Sequence, residues 1–216
     1  MTPSEAWATL RAGNDRFVSG TPAHPCQNAA RRRELQGAQY PHTVILGCSD
    51  SRVAAEIIFD QGLGDVFVVR TAGHVLDAAV VGSIECGTEV LGAALVMVLG
   101  HDSCGAVDAT AQTLATGEPP AGFPRAVVDK VIPSITQITS RANADGVNVP
   151  NELDADTLGT EHVRHTVGAL SEFSDALRQG VAAGRLAIVG VEYDLVEGRA
   201  RLVAVAGDVG EQPWAA

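Results

Sequence analysis

Residues 94–105 read Ala94-Leu-Val-Met-Val-Leu-Gly-His101-Asp-Ser-Cys104-Gly105. The first six are apolar without alternation, the pattern of a strand covered on both faces, as in a parallel sheet. Three further runs share that character: Thr43–Gly47, Val66–Arg70 and Leu186–Val191. Helical segments are expected between and after them, at about 53–60, 77–91, 105–116, 125–141 and 158–179. Alternating strand and helix predicts an α/β fold: an open, mainly parallel sheet of four strands with right-handed crossovers and helices on both faces. Gly198 turns the chain so that Arg201–Ala206 returns as an antiparallel edge strand. Residues 142–157, rich in Asn, Asp, Gly, Pro and Glu, read as a surface loop.

Ahead of this core, residues 4–18 predict an amphipathic helix carrying Trp7, Leu10, Asn14 and Phe17, with Ser4 as its N-cap. Gly20 ends it, and residues 20–28, with Pro22 and Pro25, form an extended connector. Residues 1–28 are thus an N-terminal helical arm and connector on a single domain spanning 1–216. Sequence alone leaves two positions for the arm, over a partner subunit or against its own domain; with its apolar face and Pro strap, the arm is expected to cover a partner subunit.

The 216 residues carry 15 Lys and Arg against 26 Asp and Glu, a net charge of −11. Such a chain is a poor candidate for nucleic acid or an anionic membrane surface. No basic start leads into an apolar stretch, so no signal peptide is expected, and no run approaches the ~20 apolar residues of a membrane span. The expectation is a cytoplasmic protein. Four cysteines in this length are too few for a disulfide scaffold and read as thiols, metal ligands or core fillers.

Chemistry concentrates at two strand ends. One is Gly47-Cys48-Ser-Asp50-Ser-Arg52, and the other is Gly100-His101-Asp-Ser-Cys104-Gly105. Ligands of open α/β sheets collect at the carboxyl ends of strands where strand order reverses. If the first and third strands are neighbours, Cys48, His101 and Cys104 converge. Thiolate and imidazole are zinc ligands, and two Cys with one His leave a fourth tetrahedral position. Cys104 at a helix start has a lowered thiol pKa. Asp50, two residues beyond Cys48, is either the fourth ligand or a hydrogen-bond acceptor beside the metal. A cysteine phosphatase is excluded, because Arg52 follows Cys48 by four residues and Ala54 stands where its arginine belongs. No Gly-rich phosphate loop with Lys appears.

These two segments resemble the paired signature of the beta-class carbonic anhydrases, in a bacterial form. Phe67-Val-Val-Arg70-Thr-Ala72-Gly73, Gly82-Ser-Ile-Glu85 and Ala187-Ile-Val-Gly190-Val also resemble that family. The resemblance implies one zinc ion per chain held by Cys48, His101 and Cys104. It implies a catalytic pair, Asp50 and Arg52, that orients zinc-bound hydroxide for reversible hydration of CO2 to bicarbonate and a proton. It implies a closed state in which Asp50 itself takes the metal, favoured at low pH. It places Gln39 as a donor to substrate oxygen across a dimer interface, Phe67 and Ala72 as pocket walls, and Gly105 as a backbone contact. A homodimer or dimer of dimers follows. Arg70 and Tyr193 match two members of a bicarbonate-binding site of some bacterial relatives, but Ile45 stands where its Trp would be, so inhibition of that kind is expected to be weak or absent. Two other readings share the ligands: a carbon disulfide or carbonyl sulfide hydrolase, and a noncatalytic zinc-stabilised scaffold or sensor. Asp50 and Arg52 favour the enzyme, since a structural zinc is closed by four ligands. Cys86 is expected in a helix core, Cys26 as a non-ligand, His162 and His165 on a solvated face, and His24 and His42 at the surface. His74 is a minor candidate for relaying protons.

Overall fold

A computed structural model describes residues 1–122, 124–134 and 155–214. Its centre is a five-stranded sheet of β1 (Thr43–Cys48), β2 (Val66–Thr71), β3 (Leu95–His101), β4 (Ala187–Tyr193) and β5 (Ala200–Ala206), in the order β2-β1-β3-β4-β5. The first four strands are parallel and β5 is antiparallel to β4. β1 and β3 are buried at every position, as continuous apolar runs require. From β1 the chain moves to one side to make β2, then to the other to make β3. Strand order therefore reverses between β1 and β3, whose register pairs Gly47 with Leu99. Cys48 and His101 leave the sheet side by side at that point.

The helices are α1 (Pro3–Val18), α2 (Ala29–Glu34), α3 (Ala55–Ile58), α4 (Ala78–Glu85), α5 (Gly105–Thr116), α6 (Pro124–Val131), α7 (Ala155–Phe173) and α8 (Asp175–Ala182). Two apolar clusters, one on each face, fill the space between helices and sheet. Several boundaries differ from the sequence expectation for local reasons. Thr2, not Ser4, caps α1, because Glu5 reciprocates to the Thr2 backbone in a capping box. The segment expected as one helix from 77 to 91 is α4 followed by a π-helical turn at Cys86–Val90. Ser174 divides the expected 158–179 helix: its hydroxyl caps α8 at Leu177 and donates to Glu85. Residues 155–157, expected in a loop, open α7. Residues 135–141 of the expected 125–141 helix and 142–154 of the expected loop lie outside the described residues.

α1 packs against its own chain, where a cover over a partner subunit was expected. Ala6, Trp7 and Leu10 pack with Ile58, Phe59 and Tyr193, and Trp7 is 3% exposed. At Gly13 the helix approaches so closely that a Cβ would lie 1.8 Å from the Phe59 carbonyl oxygen. Buried Asn14 donates to the carbonyls of Ile58 and Gly198 and accepts from the Ala200 N–H. One side chain thus satisfies backbone groups from two distant segments. Replacing Asn14 with Leu strands all three and is expected to cost about 3 kcal/mol in urea denaturation. A loss below ~1 kcal/mol would mean that α1 is not held by this side chain.

Candidate metal centre

Cys48 ends β1, His101 ends β3, and Cys104 is the N-cap of α5. Their ligand atoms all lie within 4.8 Å of one another, and the two Sγ atoms are 4.0 Å apart. All three residues are buried, and neither thiol is in a disulfide. His101 Nδ1 lies 2.7 Å from the Asp102 carbonyl, which can only accept, so Nδ1 carries the proton. Nε2 is then a lone-pair acceptor, and it is buried with no hydrogen-bond partner among the described residues. An orphaned imidazole nitrogen beside two thiols is the donor set that zinc takes, so the residues present fit that ion. The Cys104 thiol, close to Cys48, holds the Cys48 thiol well below its ordinary value, helped by His101 and the Gly73 N–H. Cys48 in turn pushes the Cys104 thiol up, against the lowering expected from its place at a helix start. A divalent ion at the cluster would stabilise both sulfurs as thiolates.

Asp50 lies beside this cluster but faces Arg52. The guanidinium forms a two-pronged contact, Nε to Oδ1 at 3.0 Å and an Nη to Oδ2 at 2.7 Å, and the Arg52 N–H also reaches Oδ1. Arg52 holds the Asp50 carboxyl well below the usual carboxylate range. It also donates to the Ser103 carbonyl, tying the pair to the loop that carries Cys104. Arg70, matched above to an anion site, is engaged elsewhere: it donates to the carbonyls of Cys48 and Asp50. Ile45 and Tyr193, the other positions of that match, are buried.

The pocket residues divide. Ala72 and Gly105 adjoin the cluster, following β2 and opening α5. Phe67 pairs in register with Val44, four residues and roughly 13 Å up the sheet from Cys48. Gln39 precedes β1 altogether and is exposed. Neither of these two reaches the metal centre from its own chain.

Several expectations are corrected. His162 is 2% exposed rather than solvated, because Leu158, His162, Thr166 and Ala169 form one buried stripe of α7. That spacing of four, four and three was present in the sequence. Cys86 is exposed rather than in a helix core: two residues past buried Ile84, it lies about 200° round the helix from the core face. His24 is exposed as expected, Cys26 is exposed too, and His42, expected at the surface, is half-buried against Thr43 and Gln61. His74 is enclosed, and neither ring nitrogen has a hydrogen-bond partner among the described residues.

A family model described as carbonic anhydrase matches residues 43–200. A carbonic anhydrase of Mycolicibacterium smegmatis is 52% identical over 209 residues, covering 97% of each chain. Carbonic anhydrase 2 of Mycobacterium tuberculosis is 50% identical over 210 residues, again covering 97% of each. Among solved structures, a tetrameric beta-carbonic anhydrase of Sordaria macrospora superposes with a TM-score of 0.69 at 20% identity, covering 93% of this chain and 98% of that one.

The donor set predicts about one zinc per chain in purified protein by atomic absorption, with metal lost in Cys104→Ser; full occupancy in that variant would remove Cys104 from the ligand set. A second prediction concerns acid. Burial lowers the His162 pKa from 6.5 to about 4 and holds that of His74 well below 6.5 too. Below pH 6.5 the unfolded chain takes up protons that the folded chain refuses. Their contribution to stability is therefore complete above 6.5 and declines toward pH 4. Across that window the fall in stability should be shallower in His162→Gln than in the unmodified protein; equal slopes would contradict a neutral buried His162.

Proposed function

The chain belongs to the carbonic anhydrase family, and within it we propose a beta-class zinc enzyme that reversibly hydrates CO2 to bicarbonate and a proton. The observation that carries this is the three-donor cluster with an adjacent carboxylate locked onto an arginine. Cys48, His101 and Cys104 hold the metal, and Asp50 is kept off its fourth position by both arms of Arg52. Zinc bound there supplies Lewis acidity that brings the pKa of a coordinated water to ~7.

The residues of the chain do the rest. Ionised Asp50 is acceptor-only, so it takes a hydrogen bond from the O–H of the nucleophile and turns a lone pair toward the substrate carbon. Arg52 fixes the carboxylate in that direction and offsets its charge, which lessens repulsion of the bicarbonate product. Ala72 and Gly105 line the near side. Phe67 and Gln39 complete the pocket from a second copy of the chain, with Gln39 donating to a substrate oxygen. This assigns a homodimer, or a dimer of dimers, to the active form, and the half-buried character of β2 along the sheet edge supports it. Residues 1–216 act as one domain. A closed alternative, with Asp50 as fourth ligand, requires both Arg52 contacts to break. A reducing cytoplasm suits four free cysteines, two of them ligands. Among the described residues no helix is long and apolar enough to cross a membrane.

Stopped-flow CO2 hydration tests the reading. Asp50→Asn and Arg52→Ala should each keep about one zinc per chain and lose ~10²-fold in kcat/KM. Unmodified activity in both variants would leave a zinc-stabilised scaffold with adventitious turnover. A wild-type protein that turns over carbonyl sulfide but not CO2 would move the substrate to the sulfur analogues.

A further inference from the structure

We propose that His162, braced by Ser134, is a positioning residue for the Cys48 ligand and acts through the backbone of Gly73. The inference rests on the zinc reading above. Gly73 is held at both ends: its N–H points at Cys48 Sγ at 3.4 Å, and its carbonyl lies 2.9 Å from His162 Nε2. A carbonyl only accepts, so Nε2 carries the proton. Nδ1 is then the acceptor, and the Ser134 hydroxyl, 2.8 Å away, donates to it. One tautomer of a neutral ring satisfies every contact. Burial, which keeps the ring neutral down to about pH 4, maintains that tautomer at neutral pH.

Gly73 needs such a hold. It sits in the left-handed region at φ +64, and a Cβ there would lie 2.8 Å from Ala106 Cβ. Only glycine fits, and glycine is also the residue least restrained by its own sterics. Ala106, Val127 and Val131 crowd the Cα side, but a directional bond to the carbonyl is what fixes the rotation that aims the N–H. That N–H draws charge from the sulfur, favouring the thiolate and reducing the electron density it gives to a metal. His162 comes from α7, Ser134 lies just beyond α6, and Gly73 follows β2, so three elements converge on one ligand.

A buried histidine that merely stabilises the fold would make the same contacts, so the test reads the metal–sulfur bond. Protein loaded with Co(II) alone reports thiolate donation through its sulfur-to-cobalt charge-transfer band. Competition with a chelator gives zinc affinity, and amide hydrogen exchange reports the Gly73 N–H. In His162→Phe, which keeps the ring volume without a donor, the band should move to lower energy. Zinc affinity should fall ~10-fold or more, and Gly73 exchange should accelerate. His162→Gln, whose amide N–H reaches about as far as Nε2, should restore band and affinity. Ser134→Ala, which frees the tautomer, should shift both part-way. An unmoved band and affinity in folded His162→Phe, or a Gln variant indistinguishable from Phe, would overturn the proposal. Should the Phe variant not fold, a wild-type band and exchange rate in Ser134→Ala would overturn it instead. A wild-type protein with no thiolate–cobalt band would overturn the zinc reading, and this inference with it.

Discussion

Two sulfur atoms 4.0 Å apart, from the ends of two neighbouring strands, set the problem that the surrounding structure solves. As thiolates they repel, and in a buried site that repulsion is weakly screened. They remain together because each is anchored by backbone that cannot move independently. Cys48 is the last residue of a strand paired on both sides, and Cys104 caps a 12-residue helix. The strand order places the two anchors next to each other at the reversal point. A different order, with β2 between β1 and β3, would separate the same residues by another strand spacing of ~4.8 Å and dissolve the cluster.

The charges around this pair are sorted rather than shared. Asp50 is close enough in sequence to compete for any cation at the cluster, yet Arg52 engages both of its oxygens and a backbone N–H adds a third contact. Arg70 takes no part in that pairing and clamps the carbonyls of Cys48 and Asp50 instead. One arginine therefore orients the carboxylate while another fixes the backbone that carries both ligand and carboxylate. Their roles follow from reach: Arg52 is in the same loop as Asp50, whereas Arg70 comes from β2, which runs alongside.

Much of this was legible in the sequence because the signals were strong and local. Continuous apolar runs gave β1 to β4, Gly198 the return into β5, and the spacing of Cys48, His101 and Cys104 the metal cluster. The less legible features depend on partners remote in the chain. Arg70 reads as an anion-site residue until the carbonyls at the end of β1 are seen beside it. His162 reads as solvated beside Glu161 and Arg164, yet its helical stripe faces Gly73, 89 residues earlier. α1 could have covered either of two surfaces, and Asn14 decided it through bonds to Ile58, Gly198 and Ala200. Helix ends were displaced wherever a side chain caught a distant group, as Ser174 does with Glu85.

Three residues with left-handed backbone flank the Cys48, His101 and Cys104 cluster. Gly73, His74 and Ser103 have φ values of +64, +42 and +50, and they lie on the two turns that flank the ligands. For the non-glycine residues such geometry costs about 1–3 kcal/mol each and persists only where neighbours over-determine it. Here they do. Gly73 is bonded at both its N–H and its carbonyl, the Thr71 hydroxyl closes the turn onto the Val75 carbonyl, and the Ser103 carbonyl is held by Arg52. The strained turns are thus the means by which strand ends, which run parallel, are bent so that their side chains and amides converge on one point. Arg52 completes that logic, since the side chain that withholds Asp50 from the cluster also restrains the turn that delivers Cys104 to it.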